Sequence, residues 1–265
     1  MCKVIAIVNQ KGGVGKTTTA FNLGYVLAES GKKVLEIDLD PQGSLTVSMG
    51  YDDNENIETT IATLMALAIE ENEIPDPVNY ILNCNNMDLI PCNIELSAIE
   101  VSLVNAMSRE FILKSIVDEL KLSYDYVIID CSPSLGMLTI NALAACDSVI
   151  IPVTPQYLSA KGLELLLKNI LRVKKRINSR IEIDGILLTM FVERTNLSKR
   201  ITEMITEAYG NAINIYNSRI PNLVAVGYSA LEGKSVVEFA GAGNKVTRAY
   251  EEFATEVMKH DTNSY

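Results

Sequence analysis

The chain has 265 residues, 48% of them hydrophobic, and carries 33 acidic against 23 basic side chains for a net charge of −10. That length allows one large α/β domain or two small ones, and the acid excess argues against indiscriminate affinity for nucleic acid. No apolar run approaches the ~18 residues of a membrane span, five cysteines show no Cys-x-x-Cys pairing, and a lone histidine, His260, leaves no histidine-based catalysis or metal binding.

The opening MCKVIAIVNQK has too short an apolar run for a signal peptide. A soluble, cytoplasmic protein with reduced thiols is therefore expected. Lys3–Asn9 (KVIAIVN) is β-branched and nearly continuously apolar, as in a parallel strand covered on both faces. A helix follows over Lys16–Ser30, with Gly31 as its stop, and then a second strand, Lys33–Asp38.

The middle third gives weaker signals: a helix near Glu58–Glu70, a strand at Met87–Pro91, and helices near Glu95–Asn105 and Arg109–Leu120. Buried strands return at Tyr126–Asp130 and Ser148–Val153, separated by a helix over Leu138–Ala145. A long helix at Ala160–Ile177 leads to a strand at Ile183–Met190. A helix at Ser198–Tyr209, a short strand at Ala212–Tyr216 and a terminal helix at Val246–Lys259 complete the pattern. Strands alternating with helices of this length predict an α/β fold with a doubly wound, mostly parallel sheet flanked by helices. With no repeat, low-complexity tract or Pro/Gly-rich linker, residues 1–265 are expected to form one domain.

NQKGGVGKTTT, at positions 9–19, follows the first strand directly. It departs from the common phosphate-loop pattern, which would place glycine where Gln10 stands. It keeps three glycines (Gly12, Gly13, Gly15) around Val14, then Lys16 and Thr17 at a helix start, and adds Lys11 at the mouth. Glycines let successive backbone N–H groups turn toward phosphate oxygens, and the helix N-terminus contributes its positive dipole end. Lys16 can reach the β- and γ-phosphates, and the Thr17 hydroxyl can ligate Mg²⁺. Acids at strand ends fit the same chemistry, because open α/β sheets bind ligands there. Asp130 ends YVIID, the strand that carries the acid for Mg²⁺ or its water, while Asp38 and Asp40 follow the second strand.

The segments KGGVGKTT, DLDPQGSLT, YVIIDCSPSLG and IPVTPQYLSAKGL, in this order and spacing, resemble the ParA/Soj partition ATPases. These belong to the deviant-Walker-A group of P-loop NTPases that includes MinD. The likeness runs from Lys3 to about Val257. It implies ATP and Mg²⁺ as cofactors and an ATP-dependent homodimer with weak intrinsic hydrolysis. Lys16, Gly12, Gly13, Val14, Gly15, Thr17 and Thr18 would hold phosphates in their own subunit, and Lys11 would reach the partner's nucleotide. Asp40 would position the attacking water and, like Asp130, meet the metal through water, with Thr17 a direct ligand. Met190 and Pro221 would line the adenine pocket.

The resemblance also implies non-specific DNA binding, nucleoid association and stimulation by a centromere-binding-type partner protein. Ten Lys/Arg against four Asp/Glu in residues 161–200 give a local +6 within the −10 chain. Phosphate contacts are expected from Lys168, Arg172, Lys175, Arg176, Arg194, Lys199, Arg200 and Arg219. Where relatives carry arginines in an IPRNVRLSEAPS stretch, this chain reads IPNLVAVGYSAL, with Asn222 and Ala225. This departure and the acidity support an alternative, a protein-cargo positioning ATPase that does not bind DNA. Membrane attachment is not expected: the terminal helix has an apolar stripe (Val246, Tyr250, Phe253, Val257) but an acidic opposite face, unlike basic interfacial helices. No substrate-binding motif of a small-molecule synthetase is recognisable, and Cys131 alone supplies no cluster-ligand pattern.

Overall fold

The computed structural model describes residues 2–52, 56–84, 86–192, 195–222 and 225–263; the side chains of 157–161 and 262–263 lie outside that description. Its strands are β1 (Lys3–Ile7), β2 (Val34–Leu39), β3 (Leu82–Cys84), β4 (Met87–Ile90), β5 (Tyr126–Cys131), β6 (Ser148–Val153), β7 (Glu182–Phe191) and β8 (Ile215–Pro221). They form one sheet in the order β3-β4-β2-β5-β1-β6-β7-β8. All neighbours run parallel except the edge hairpin β3–β4.

The central strands are buried at nearly every position: β1 and β6 are almost continuously apolar, while β2 also buries Glu36 and Asp38 and β5 buries Asp130. Helices cover both faces. On one face α1 (Lys16–Glu29) and α11 (Lys245–Asn263) pack over Ile5, Ile7, Tyr126, Ile128 and Tyr216. The stripe Val246, Tyr250, Phe253 and Val257 of α11 is fully buried there, so it is core. On the other face α3 (Ile61–Ile69), α5 (Ile112–Leu120), α6 (Met137–Ala145) and α7 (Tyr157–Arg176) enclose Val4, Ala6, Leu35, Val127 and Val149.

Several elements differ from expectation. The last strand runs over Ile215–Pro221, later than Ala212–Tyr216, because alternation of buried Tyr216, Ser218 and Ile220 with exposed neighbours marks an edge strand. The helix at Glu95–Asn105 is α4 (Leu96–Ser102) followed by a 3₁₀ turn, and the next helix begins at Ile112. Short elements carried no periodic signal: β3, α2 (Ser44–Ser48), α9 (Ala225–Leu231) and α10 (Val236–Ala240). The remaining helix, α8, spans Asn196–Tyr209.

Candidate functional site

Strands β2, β5 and β1 are neighbours, so their C-terminal ends open side by side. Residues 8–15 leave β1 and turn into α1. Gly13 and Gly15 adopt φ of 68° and 82°, a left-handed backbone that favours glycine. The loop is braced from two sides. Thr189, near the end of β7, donates its hydroxyl to Val14 O at 2.7 Å. Pro133, just beyond β5, packs 4.0 Å from the place a β-carbon on Gly12 would take.

At the base of the loop the expected residues meet. Thr17, on the first turn of α1, donates its hydroxyl to Asp130 Oδ2 at 2.6 Å. Asp130 is fully buried, and its other oxygen, Oδ1, has no hydrogen-bond partner among the described residues. Burial and the neighbouring charge of Asp38 push the Asp130 carboxyl well up, opposed by the Thr17 hydroxyl and the Lys16 ammonium. Lys16 is itself 93% buried, with Nζ 3.5 Å from Lys11 O inside the loop.

Asp38 pairs in register with Asp130 across β2 and β5. It is a structural acid: it accepts from Thr46 N at 2.8 Å, Thr46 Oγ1 at 2.7 Å and Asp40 N at 3.2 Å. Burial outweighs these donors and raises its pKa to about 6. Asp40, half-buried at the rim, accepts from Gln42 N at 3.1 Å, and its charge is felt at Asp130.

Lys11 stands apart from Lys16. Its Nζ donates to Gln156 Oε1 at 2.7 Å, and its backbone N–H to Asn9 Oδ1 at 3.0 Å. Asn9 in turn donates to Pro152 O at 2.7 Å, tying the loop mouth to the end of β6. Sequence reasoning missed Asn9, Gln10, Thr46 and Gln156. Asn9 and Gln10 were adjacent to a recognised motif, whereas the partnerships of Thr46 and Gln156 depend on distant strands.

Met190 and Pro221 lie near the ends of the adjacent strands β7 and β8. Met190 follows Thr189, is partly exposed and has φ 50°, a conformation rare for a non-glycine. Pro221 pairs in register with Phe191 on the adjacent strand. Arg219, on β8, lies over the Phe191 ring at 4.8 Å, a cation–π contact.

The basic candidates do not form one patch. Helix α7 leaves the C-terminal end of β6 and returns to the N-terminal end of β7, so its 20 residues span roughly 30 Å. Lys168, Arg172, Lys175 and Arg176 are exposed along its second half, toward the sheet end opposite the loop. Lys199 and Arg200, exposed at the start of α8, and Arg219 on late β8 lie at the loop end. Lys168 is engaged by Glu164 at 2.6 Å. Arg194 lies outside the described residues.

All five cysteines are free thiols, and no group of three or more metal-ligating side chains occurs among the described residues. No described helix is long and apolar enough to cross a membrane.

Comparison with known proteins identifies the family. A family profile described as an AAA domain matches residues 2–183. The chain is 41% identical to the sporulation initiation inhibitor protein Soj of Bacillus subtilis, covering 89% of this chain and 91% of that protein. It is 38% identical to the chromosome-partitioning ATPase Soj of Treponema pallidum, over 98% and 99% respectively. Among solved structures, cobyrinic acid a,c-diamide synthase of Mycobacterium smegmatis, with ADP and magnesium, superimposes with a TM-score of 0.85 at 32% identity, covering 100% of this chain and 97% of that one. Such identity over nearly the full length of the two Soj proteins settles the kinship: the chain belongs to the ParA/Soj family of chromosome-partitioning ATPases.

Proposed function

We propose that this protein is an ATP-driven switch for DNA partitioning. Two copies enclose two ATP molecules, bind DNA without sequence preference, and hydrolyse slowly until a centromere-binding-type partner protein stimulates them. The observation that carries the nucleotide half of this reading is the Thr17–Asp130 pair. A fully buried acid beneath a glycine loop, with one oxygen lacking a donor among the described residues, suits the water shell of a hard divalent cation.

In this reading the amides of residues 12–15 and Thr18 receive the phosphates, and Lys16 places its ammonium on those of its own subunit. The Thr17 hydroxyl and, through water, Asp130 would hold magnesium, and Asp40 would orient the attacking water. Bound magnesium would neutralise charge on the β- and γ-phosphates. Lys11 serves the nucleotide of the second copy, which makes nucleotide state and dimer state one equilibrium. Met190 and Pro221 flank the adenine.

The cations of α7 and those of α8 and β8 offer two phosphate-binding zones, at opposite ends of the sheet. A protein-cargo ATPase that does not touch DNA is the second reading, supported by the −10 net charge and by Asn222 and Ala225. ATPase activity measured with and without DNA, and with the product of the adjacent gene, separates the two. Stimulation that requires both DNA and the adjacent product supports partitioning; stimulation by a protein alone, with no DNA retardation at low salt, supports cargo positioning. No stimulation by either overturns the switch reading.

A further inference from the structure

Two consecutive side chains at the mouth of the phosphate loop fasten to one short stretch of another element. Lys11 Nζ reaches Gln156 Oε1 at 2.7 Å, in the turn before α7. Gln10 donates Nε2 to Gly162 O at 2.8 Å, within α7 itself. Gly162 leaves room for this: a β-carbon there would stand 3.0 Å from Gln10 Nε2. Lys16, by contrast, is buried and turned into the loop. The two lysines are thus held by different parts of the molecule, one by the loop and one by the β6–α7 connection.

The geometry points to Gln156 as a positioning residue for Lys11, a parking contact that holds the ammonium within its own subunit. The inference rests on the proposal that Lys11 serves a second copy's nucleotide, because the lysine must leave Gln156 to do so. An amide oxygen suits this task. It is a neutral acceptor, so it orients the ammonium without the stronger hold of a carboxylate. Gln10 keeps the loop mouth against α7 while Lys11 departs, so release needs movement of one side chain and not of the helix. Each dimer requires two such releases, so the factor for one subunit enters the dimer constant squared.

The test is sedimentation of the full chain with magnesium and a non-hydrolysable ATP analogue. Removing a modest hydrogen bond changes an equilibrium by about threefold per subunit, so Gln156→Ala is expected to tighten the dimer about tenfold. Gln156→Glu is expected to weaken it, with the effect fading as salt rises. Affinity of dilute protein for a fluorescent ATP analogue stays unchanged in both, a readout that a general distortion of α7 would move. A Gln156→Ala dimer equal to or weaker than the parent's overturns the parking role, as does an altered dilute-protein affinity. Lys11→Ala separates the two levels: if it dimerises normally, the second-copy role itself fails. If it loses the dimer while Gln156→Ala gains nothing, only the parking role fails.

Discussion

The carboxyl of Glu36, on β2, occupies the space that a β-carbon on Gly24, in α1, would need. Glu36 is fully buried on the α1 face of the sheet, in register with Leu89 on β4 and Ile128 on β5. Neither of its oxygens has a hydrogen-bond partner among the described residues. Burial, with Asp130 and Asp38 nearby, pushes its pKa well above the ordinary carboxylate range. It sits two residues before Asp38 on the same strand face, so the helix that starts at the phosphate loop rests on a buried acid whose burial favours its neutral form.

Gly24→Ala forces a methyl group into that carboxyl and into Met87 Sδ, 3.0 Å from the same point. Overpacking of this kind costs about 1–3 kcal/mol. Adding Glu36→Ala opens the space, so the double variant should recover about 1 kcal/mol or more relative to the sum of the singles. Urea unfolding of the four proteins measures this, and strict additivity would show that the two residues are not in contact.

The same acid predicts a pH dependence whose sign follows from linkage. Its folded pKa lies above its unfolded value, so the unfolded chain releases the proton first. Stability attributable to Glu36 is complete below about pH 4.5 and falls by about 1.4 kcal/mol per unit as pH rises toward the folded pKa. Asp38, raised to about 6, adds a fall between its ordinary value and that point. The advantage of Glu36→Leu over the parent should grow as pH rises from about 4.5 to about 7.5. Parallel stability curves for the two proteins would contradict the assignment.

Lys16→Ala should abolish ATP binding, because it removes the buried cation at the loop base. Affinity within about tenfold of the parent, measured by calorimetry, would refute its role. Lys11→Ala should leave much of that binding intact while losing the ATP-dependent dimer, since its Nζ lies at Gln156 and not in the loop.

Asp40→Ala should lower turnover by about 10²-fold or more, in the range for general base or water-positioning groups. The ATP-bound dimer should then persist on size exclusion. Rapid return to monomer after ATP addition would show that Asp40 does not set the lifetime of the bound state.

The two cationic zones are separable by salt dependence. If both contact DNA, reversing Lys175 and Arg176 or Lys199 and Arg200 should each reduce the slope of log K against log salt by about one per lost phosphate contact. A slope altered by only one pair identifies the working surface.

The central strands and main helices were legible because most are largely apolar runs or 3.6-residue stripes, and the core faces they build are local properties of the chain. The loop residues Gly12 to Thr18 and the strand-end acids were legible for the same reason: neighbours in sequence remain neighbours in the site. The short elements β3, α2, α9 and α10 escaped, because one or two turns of helix or three residues of strand carry too few positions for a period. The sequence by itself therefore determined the α/β architecture, the phosphate loop and the family. Only the tertiary structure decided that Asp38 binds Thr46 while Asp130 binds Thr17, that Lys11 rests on Gln156, that the basic residues divide between two ends of the sheet, and that Glu36 lies buried against Gly24. Each of these depends on strand order, register or the route of a crossover, which bring together residues that no local pattern relates.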